Sequence, residues 1–341
     1  MIAVQKHGII LQKTVHSFES KAVLNPGCYQ DGHTVHMLYR AVDDNSISTL
    51  GYCKLDGPLT VVERSEKPVL IPDNEYESHG VEDPRVVKID DTFFITYTAY
   101  DGKNAMGALA VSKNLHEFTK KGIITPGIPY IKYKGFLKKL DLNPKYFKWY
   151  KILREIGLLT EDRFVRDKDL AFFPRKINGR YAYLHRIYPG IQIVYDDKPK
   201  THGPRFWAKY FKDFSKYIVL DPKCDYENAY IGGGCPPIET DAGWLLIYHA
   251  VSHKPEGKVY HATAALLDLE DPTVEISRLQ EPLFSPTRDW ELNGTVDNVV
   301  FPTGTAIFGD DLYIYYGAAD KTIAVASVNL NDLLEVLKSQ P

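Results

Sequence analysis

Two adjacent acids and an arginine stand at the head of an apolar, aromatic stretch in His79-Gly80-Val81-Glu82-Asp83-Pro84-Arg85. Such a cluster is costly at the start of a strand unless it is solvated or in use. Three more groups of the same kind follow: Asp167-Lys168-Asp169 with His185-Arg186, then Asp225-Tyr226-Glu227-Asn228 with Tyr230, then Asp297-Asn298 and Asp320. Carboxylates flanked by Arg, Lys, His and Tyr can break a glycosidic bond by acid and base catalysis. On spacing alone, the competing reading of Asp83 is a structural ion pair with Arg85.

Other chemistries find less support. Cys28, Cys53, Cys224 and Cys235 form no CxxC pair, so neither zinc nor a disulfide framework is expected, and free thiols are. His249 and His253 lie on a strand and a loop, not on one helix face, and read as ordinary polar residues. Gly232-Gly233-Gly234 lacks the Lys-Ser/Thr and the helix of a phosphate-binding loop, and reads as close backbone packing. No GxSxG elbow occurs. No metal and no cofactor are expected.

The elements that must hold these groups repeat. Five segments join a proline to a polar turn and an aromatic strand: Pro26 to Tyr39, Pro84 to Tyr97, Pro174 to His185, Pro237 to Tyr248 and Pro302 to Tyr315. Successive prolines lie 58, 90, 63 and 65 residues apart. The short stretch after Pro302 is completed by the stretch before Pro26, as in a ring closed by its own N-terminus. The expectation is an all-β chain: one five-bladed β-propeller domain over 1–341, preferred to a pair of β-sandwiches. The one long interval predicts a helical insert over 127–166. There Asn143 caps, Pro144 opens and Gly157 ends a helix whose Trp149, Ile152, Leu153 and Ile156 share a face. Trp149, Leu153 and Ile156 are expected to be buried, on the chain's own body or across an oligomer contact. A second helix near Asn331 carries Leu333, Leu334 and Leu337.

A net charge of −3 over 341 residues gives no global field for nucleic acid or an anionic membrane. Tyrosine is abundant, with 23 residues, and suits strands and polar, ring-shaped ligands such as sugars. The N-terminus shows no leader pattern and no 18-residue apolar run exists, so a cytoplasmic protein is expected, or a periplasmic one if a leader was removed.

Gly80-Val81-Glu82-Asp83-Pro84-Arg85 with Tyr97-Thr98-Ala99-Tyr100-Asp101-Gly102 resembles glycoside hydrolase family 130. So do Gly232 to Ile238 with Gly243 to His249, Leu266 to Pro272, Phe301-Pro302-Thr303-Gly304, and Tyr315 to Asp320. The resemblance spans nearly the whole chain except the insert. It implies a five-bladed propeller that cleaves β-mannosides with inversion, most members using phosphate and others water. It further implies that Asp83 is the proton donor, and that Asn25, Arg40 and Asp320 hold the mannosyl unit.

Where phosphorylases of the family carry an Arg-Asn pair and a Lys for phosphate, this chain has Lys168-Asp169 and Tyr230; Arg186 and Tyr260 are retained. Losing a guanidinium and an ammonium, and gaining Asp169, weakens a dianion site. Glu82, Arg85 and His249, inside the matched motifs, complete the expected pocket lining. Hydrolysis of β-linked mannosides, β-1,2 linkages foremost, is therefore expected. Glu227 would activate water across a gap of about 6.5–9.5 Å from Asp83. The alternatives are a phosphorylase releasing mannose 1-phosphate, with inorganic phosphate as co-substrate, and an inactive sugar-binding propeller. The expected partner is a mannose-containing oligosaccharide.

Overall fold

Two-residue turns set the architecture. Gly32-His33, Asp90-Asp91, Asn178-Gly179, Asp241-Ala242 and Gly309-Asp310 each close an antiparallel hairpin. Asn178 and Gly179 both have positive φ, as the tightest hairpin turns require. The computed structural model describes residues 2–255 and 257–340. Its strands form five antiparallel units in chain order.

Unit one comprises Ala22–Asp31, Thr34–Val42, Ser48–Asp56 and Thr60–Arg64. Unit two comprises Gly80–Ile89, Thr92–Tyr100, Ala105–Ser112 and Phe118–Ile123, joined to unit one by a single bridge, Ser48 to Gly80. Unit three holds Asp167–Phe172, Tyr181–Ile187, Ile191–Asp196 and Ile218–Leu220. In unit four the first strand is broken into Tyr230–Gly233 and Ile238–Thr240, ahead of Gly243–Lys254, Gly257–Leu267 and Glu275–Arg278. Unit five has Val300–Phe308, Asp311–Ala318 and Thr322–Asn329, and its outermost strand is Val4–Leu11 from the N-terminus, paired from Val4–Val328 to Leu11–Ile323.

The core lies between units, not within them. In Trp244-Leu245-Leu246-Ile247-Tyr248, Leu245 and Ile247 pack towards unit five, while Trp244, Leu246 and Tyr248 pack towards unit three. A strand buried on both faces reads as an unbroken apolar run for this reason. Further clusters join units one and two, two and three, and five and one.

A polar lock repeats beside these cores. Glu19 accepts from Tyr39 Oη at 2.7 Å and Arg64 at 2.8 Å. Glu77 accepts from Tyr97 Oη at 2.9 Å and from Lys120. Glu227 accepts from Tyr248 Oη at 2.7 Å and Arg278 at 3.0 Å, and Glu291 from Tyr316 Oη at 2.7 Å and Lys6 at 2.6 Å. All four carboxylates are fully buried, and each cation stands on the outermost strand of its unit. Unit three differs. There His185 bonds Asp167 and Tyr210, both at 2.7 Å.

Tyr210 belongs to a helix, Pro204–Lys212, inside unit three that the repeat pattern did not anticipate. The insert also departs from expectation, with two helices, Tyr130–Leu137 and Lys148–Glu155, the second after a tight turn Pro144–Phe147. Asn143 does cap that turn, accepting from the Lys145 amide. Leu153 is buried against the cluster between units two and three and Trp149 is half-buried, but Ile156 is 59% exposed. The helix stops at Glu155, so Ile156 leaves the apolar face. The C-terminal helix, Leu330–Ser339, starts from an Asn329 cap and buries Leu333 and Leu337. All four cysteines are free, and no helix among the described residues is long and apolar enough to cross a membrane.

Candidate active site

The first strands of units one, two and three each bulge at one point, between Leu24 and Gly27, Glu82 and Arg85, and Lys168 and Ala171. Within the bulges Asn25, Asp83 and Asp169 adopt φ of 49°, 51° and 58°. Short polar residues tolerate this left-handed conformation, and a bulge re-aims the side chain it carries. The equivalent position is thus the Asn or Asp, not the proline. Pro26 and Pro84 follow it directly, whereas Pro174 lies beyond the first strand of unit three and Pro237 in the break of unit four. The proline spacing misaligned these two repeats.

Around these bulges lies a cavity of about 160 Å³ lined by Asn25, Arg40, Asp83, Lys168, Asp169, Arg186, Tyr230, His249, Tyr260 and Asp320. Phe301, Val296 and Val299 complete its wall. Every expected pocket residue except Glu82, Arg85 and Glu227 lines this space. Phe301, whose ring centroid lies 4.5 Å from that of His249, was legible as a repeat landmark but not as a site residue.

Asp83 is 5% exposed. Its Oδ1 accepts from Asn25 Nδ2 at 2.8 Å and Arg40 Nη1 at 3.3 Å, while Oδ2 stands 3.8 Å from Lys168 Nζ. Burial pushes its proton affinity up, but Arg40, Lys168, Arg85 and the Asn25 amide outweigh this and hold the carboxyl well below the usual range. Asp320 moves the other way: burial, with Asp83 and Glu82 nearby, raises its pKa against Arg40 and Lys168. Glu82 fixes Arg40 from behind, accepting at 2.7 Å, and lies 3.8 Å from Lys168.

The far side of the cavity is organised by Asp169, 2.6 Å from Arg186 Nε and 3.9 Å from His249 Nε2. Asp169 is held below its ordinary pKa: burial opposes this, and Arg186, His249 and Arg85 prevail. Burial takes His249 down to about 3, so its imidazole is neutral at working pH. Tyr230 and Tyr260 share a hydroxyl–hydroxyl hydrogen bond of 2.7 Å beneath Arg186, which lies 5.4 Å from the Tyr230 ring centre. The glycine run serves close packing. A Cβ at Gly232 would come within 2.5 Å of Asp169 Oδ2, and one at Gly234 within 2.4 Å of the Ile247 carbonyl.

Three expected placements are corrected. Glu82 stands outside the cavity lining and accepts from Arg40 instead. Arg85 is 1% exposed and does not line the cavity; it donates to the Asp83, Gly234 and Gly233 carbonyls at 2.7, 2.6 and 3.4 Å. It ties the Asp83 bulge to unit four and bonds the Asp83 carbonyl, not its carboxylate. Glu227 is fully buried and does not line the cavity. It belongs to the lock of unit four, and both its oxygens are filled by Tyr248, Arg278 and the Lys223 and Cys224 amides.

The cavity opens into a vestibule of about 510 Å³ that shares Lys168, Arg186, Tyr230 and Tyr260 with it. Its outer wall adds Lys145, Lys148, Trp149, Arg166 and Lys258, and its lining includes no carboxylate.

A family model described as beta-1,4-mannooligosaccharide phosphorylase, for glycoside hydrolase family 130, matches residues 4–339. The chain is 34% identical over 335 residues to a 1,2-beta-oligomannan phosphorylase of Thermoanaerobacter sp. (strain X514), covering 95% of this chain and 96% of that protein. A β-1,2-mannobiose phosphorylase from Listeria innocua, solved with β-1,2-mannobiose, superposes with a TM-score of 0.74 at 24% identity, over 99% of this chain and 100% of that one. A structure reported for family 130 glycoside hydrolases that target β-1,2 mannosidic linkages in Candida mannan superposes at 0.71 and 22% identity, over 96% and 93% of the two chains. With its model matched from end to end and a third of its residues shared with a full-length relative, this chain belongs to glycoside hydrolase family 130.

Proposed function

We propose that the five units are the blades of a β-propeller, and that this propeller cleaves β-1,2-linked mannosides by phosphorolysis. The cyclic series of apolar clusters and the N-terminal strand in unit five support the propeller. One observation carries the choice of phosphate over water. The cavity places Lys168, Arg186, Tyr230, Tyr260 and a neutral His249 beside Asp83, and the way in is cationic, while the carboxylate expected to activate water is locked elsewhere. The relatives named as phosphorylases support the same reading.

In this scheme Asn25, Arg40 and Asp320 hold the mannosyl ring, and Asp83 lies under the glycosidic oxygen. A phosphate dianion between Lys168 and Arg186 attacks the anomeric carbon from the opposite side. The bond from that carbon to the leaving oxygen breaks, the oxygen takes a proton, and mannose 1-phosphate forms with inversion. Asp83 must be protonated to act. Phosphate works towards this condition, because its charge offsets Lys168, one of the cations that hold Asp83 ionised beside Arg40 and Arg85.

Asp169 favours a second reading, hydrolysis, since its carboxylate already occupies the Arg186 guanidinium that phosphate would use. Incubation with β-1,2-mannobiose, with and without phosphate, decides. Mannose 1-phosphate formed only with phosphate is the expected result. Free mannose in both conditions would establish hydrolysis, and loss of it in Asp169→Asn would make Asp169 the base. Binding of the disaccharide without any product would leave a sugar-binding propeller.

A further inference from the structure

In the scheme above, Lys168 and Arg186 hold the reacting phosphate deep in the cavity. Beyond them the vestibule presents four more cations, Lys145, Lys148, Arg166 and Lys258. Two chain regions supply them, the end of the insert and the third strand of unit four. Among the described residues, none of the four lies in an ion pair with a carboxylate. Three stand instead on aromatic faces, Arg166 5.3 Å from the Trp149 ring centre, Lys148 5.6 Å from that of Tyr188 and Lys258 5.5 Å from that of Tyr230, while Lys145 donates to the Asn228 carbonyl.

Four like charges around one space repel each other, in a protein whose net charge is negative. The strain is visible in proton affinity. Burial and the neighbouring Lys148 lower the pKa of both Lys145 and Lys258. An anion in the vestibule would relieve that repulsion. Trp149 and Tyr188 meet edge to face at 6.4 Å and supply a wall against which a sugar ring can lie.

We propose that the vestibule receives a phosphate monoester carried by the leaving-group sugar, so that the preferred substrate is a mannoside of a phosphorylated sugar. The position of that sugar rests on the phosphorolytic reading above. A doubly charged monoester matches four converging cations better than a single carboxylate does, and three of the four are lysines, which hold phosphate as point charges.

Calorimetric titration of the whole protein with mannose 6-phosphate and with mannose tests this, both in saturating inorganic phosphate so that the deeper anion position is filled. Mannose 6-phosphate should bind about tenfold tighter or better, the span expected for hydrogen bonds to charged groups. The preference should shrink in 0.5 M salt, about as salt screens exposed charge, and in Lys148→Ala and Lys258→Ala, each checked for an unchanged melting curve. Either variant suffices if the other fails to fold.

Equal affinity for the two sugars, or a preference untouched by salt and by both variants, overturns the proposal. Synthesis from mannose 1-phosphate and each acceptor separates the two levels. Disaccharide from mannose but none from mannose 6-phosphate keeps phosphorolysis and removes the phosphosugar. No disaccharide from either, alongside a calorimetric preference, removes phosphorolysis and keeps the anion site.

Discussion

Glu227 and Asp83 are both buried carboxylates with an arginine beside them, yet only one faces a cavity. The two oxygens of Glu227 receive Tyr248, Arg278 and two backbone amides between 2.7 and 3.0 Å. Asp83 receives two donors on Oδ1, while Oδ2 has only Lys168 at 3.8 Å. Burial and charge are alike in the two; the filling of acceptor positions is not. A carboxylate with both oxygens hydrogen-bonded within its own repeat holds the fold, and one left with an open oxygen beside loosely placed cations can receive and pass a proton.

The largest effect should come from the open carboxylate. Asp83→Asn is expected to lower kcat/KM by about 10²–10⁴, the range for a general acid, with little change in melting temperature. Activity close to wild type in that folded variant would strip Asp83 of its role.

Glu227→Gln should show the converse. Neutralising Glu227 leaves Arg278 with Glu275 alone, 2.6 Å away on its other edge, and the lost charged hydrogen bond costs about 3 kcal/mol in denaturant unfolding, while turnover per folded molecule stays within a few-fold. If turnover collapsed and stability held, the assignment of the two acids would have to be reversed.

A smaller effect tests whether the lock is general. In unit five the cation is Lys6, on the N-terminal strand, 2.6 Å from Glu291. Lys6→Met should cost about 2 kcal/mol, as expected for a buried acceptor that loses a charged donor. It should also speed amide exchange along Val4–Leu11 before the rest of unit five. Uniform exchange across unit five would show that the strand is held by its ladder alone.

The mildest effect concerns pH. His249 is depressed to about 3 in the folded chain. Between about pH 6.5 and that value the unfolded chain therefore binds one more proton at this site, and stability falls as pH falls, by up to about 1.4 kcal/mol per unit. Urea midpoints at pH 7, 6 and 5 should drop less steeply in His249→Asn than in the wild type. This window lies above the range in which Asp83, whose pKa is depressed, takes up a proton and withdraws its own stabilisation. Parallel slopes would place a titrating His249 in the folded state.

Much of this was legible locally. Two-residue turns between apolar runs gave the five hairpins, the short final stretch gave closure by the N-terminus, and the acids beside Arg and Lys marked Asp83 and its neighbours. The lock left a trace that could have been read: a Glu lies 20, 20, 21 and 25 residues before a Tyr at Tyr39, Tyr97, Tyr248 and Tyr316. Seen together, those spacings assign Glu227 to the lock.

The sequence by itself determined the elements, their order and the types of group brought to the strand starts, because period-two patterning and turn chemistry act over a few residues. Only the tertiary structure decided which of those groups face one another. Arg85 reaches a carbonyl 149 residues away and Arg278 an acid 51 residues away. The four vestibule cations converge from the insert and unit four. Whether a side chain ends in a lock, a clamp or a cavity depends on the bulge that aims it and on the neighbouring unit that fills or leaves open its lone pairs, and both are settled when the units pack.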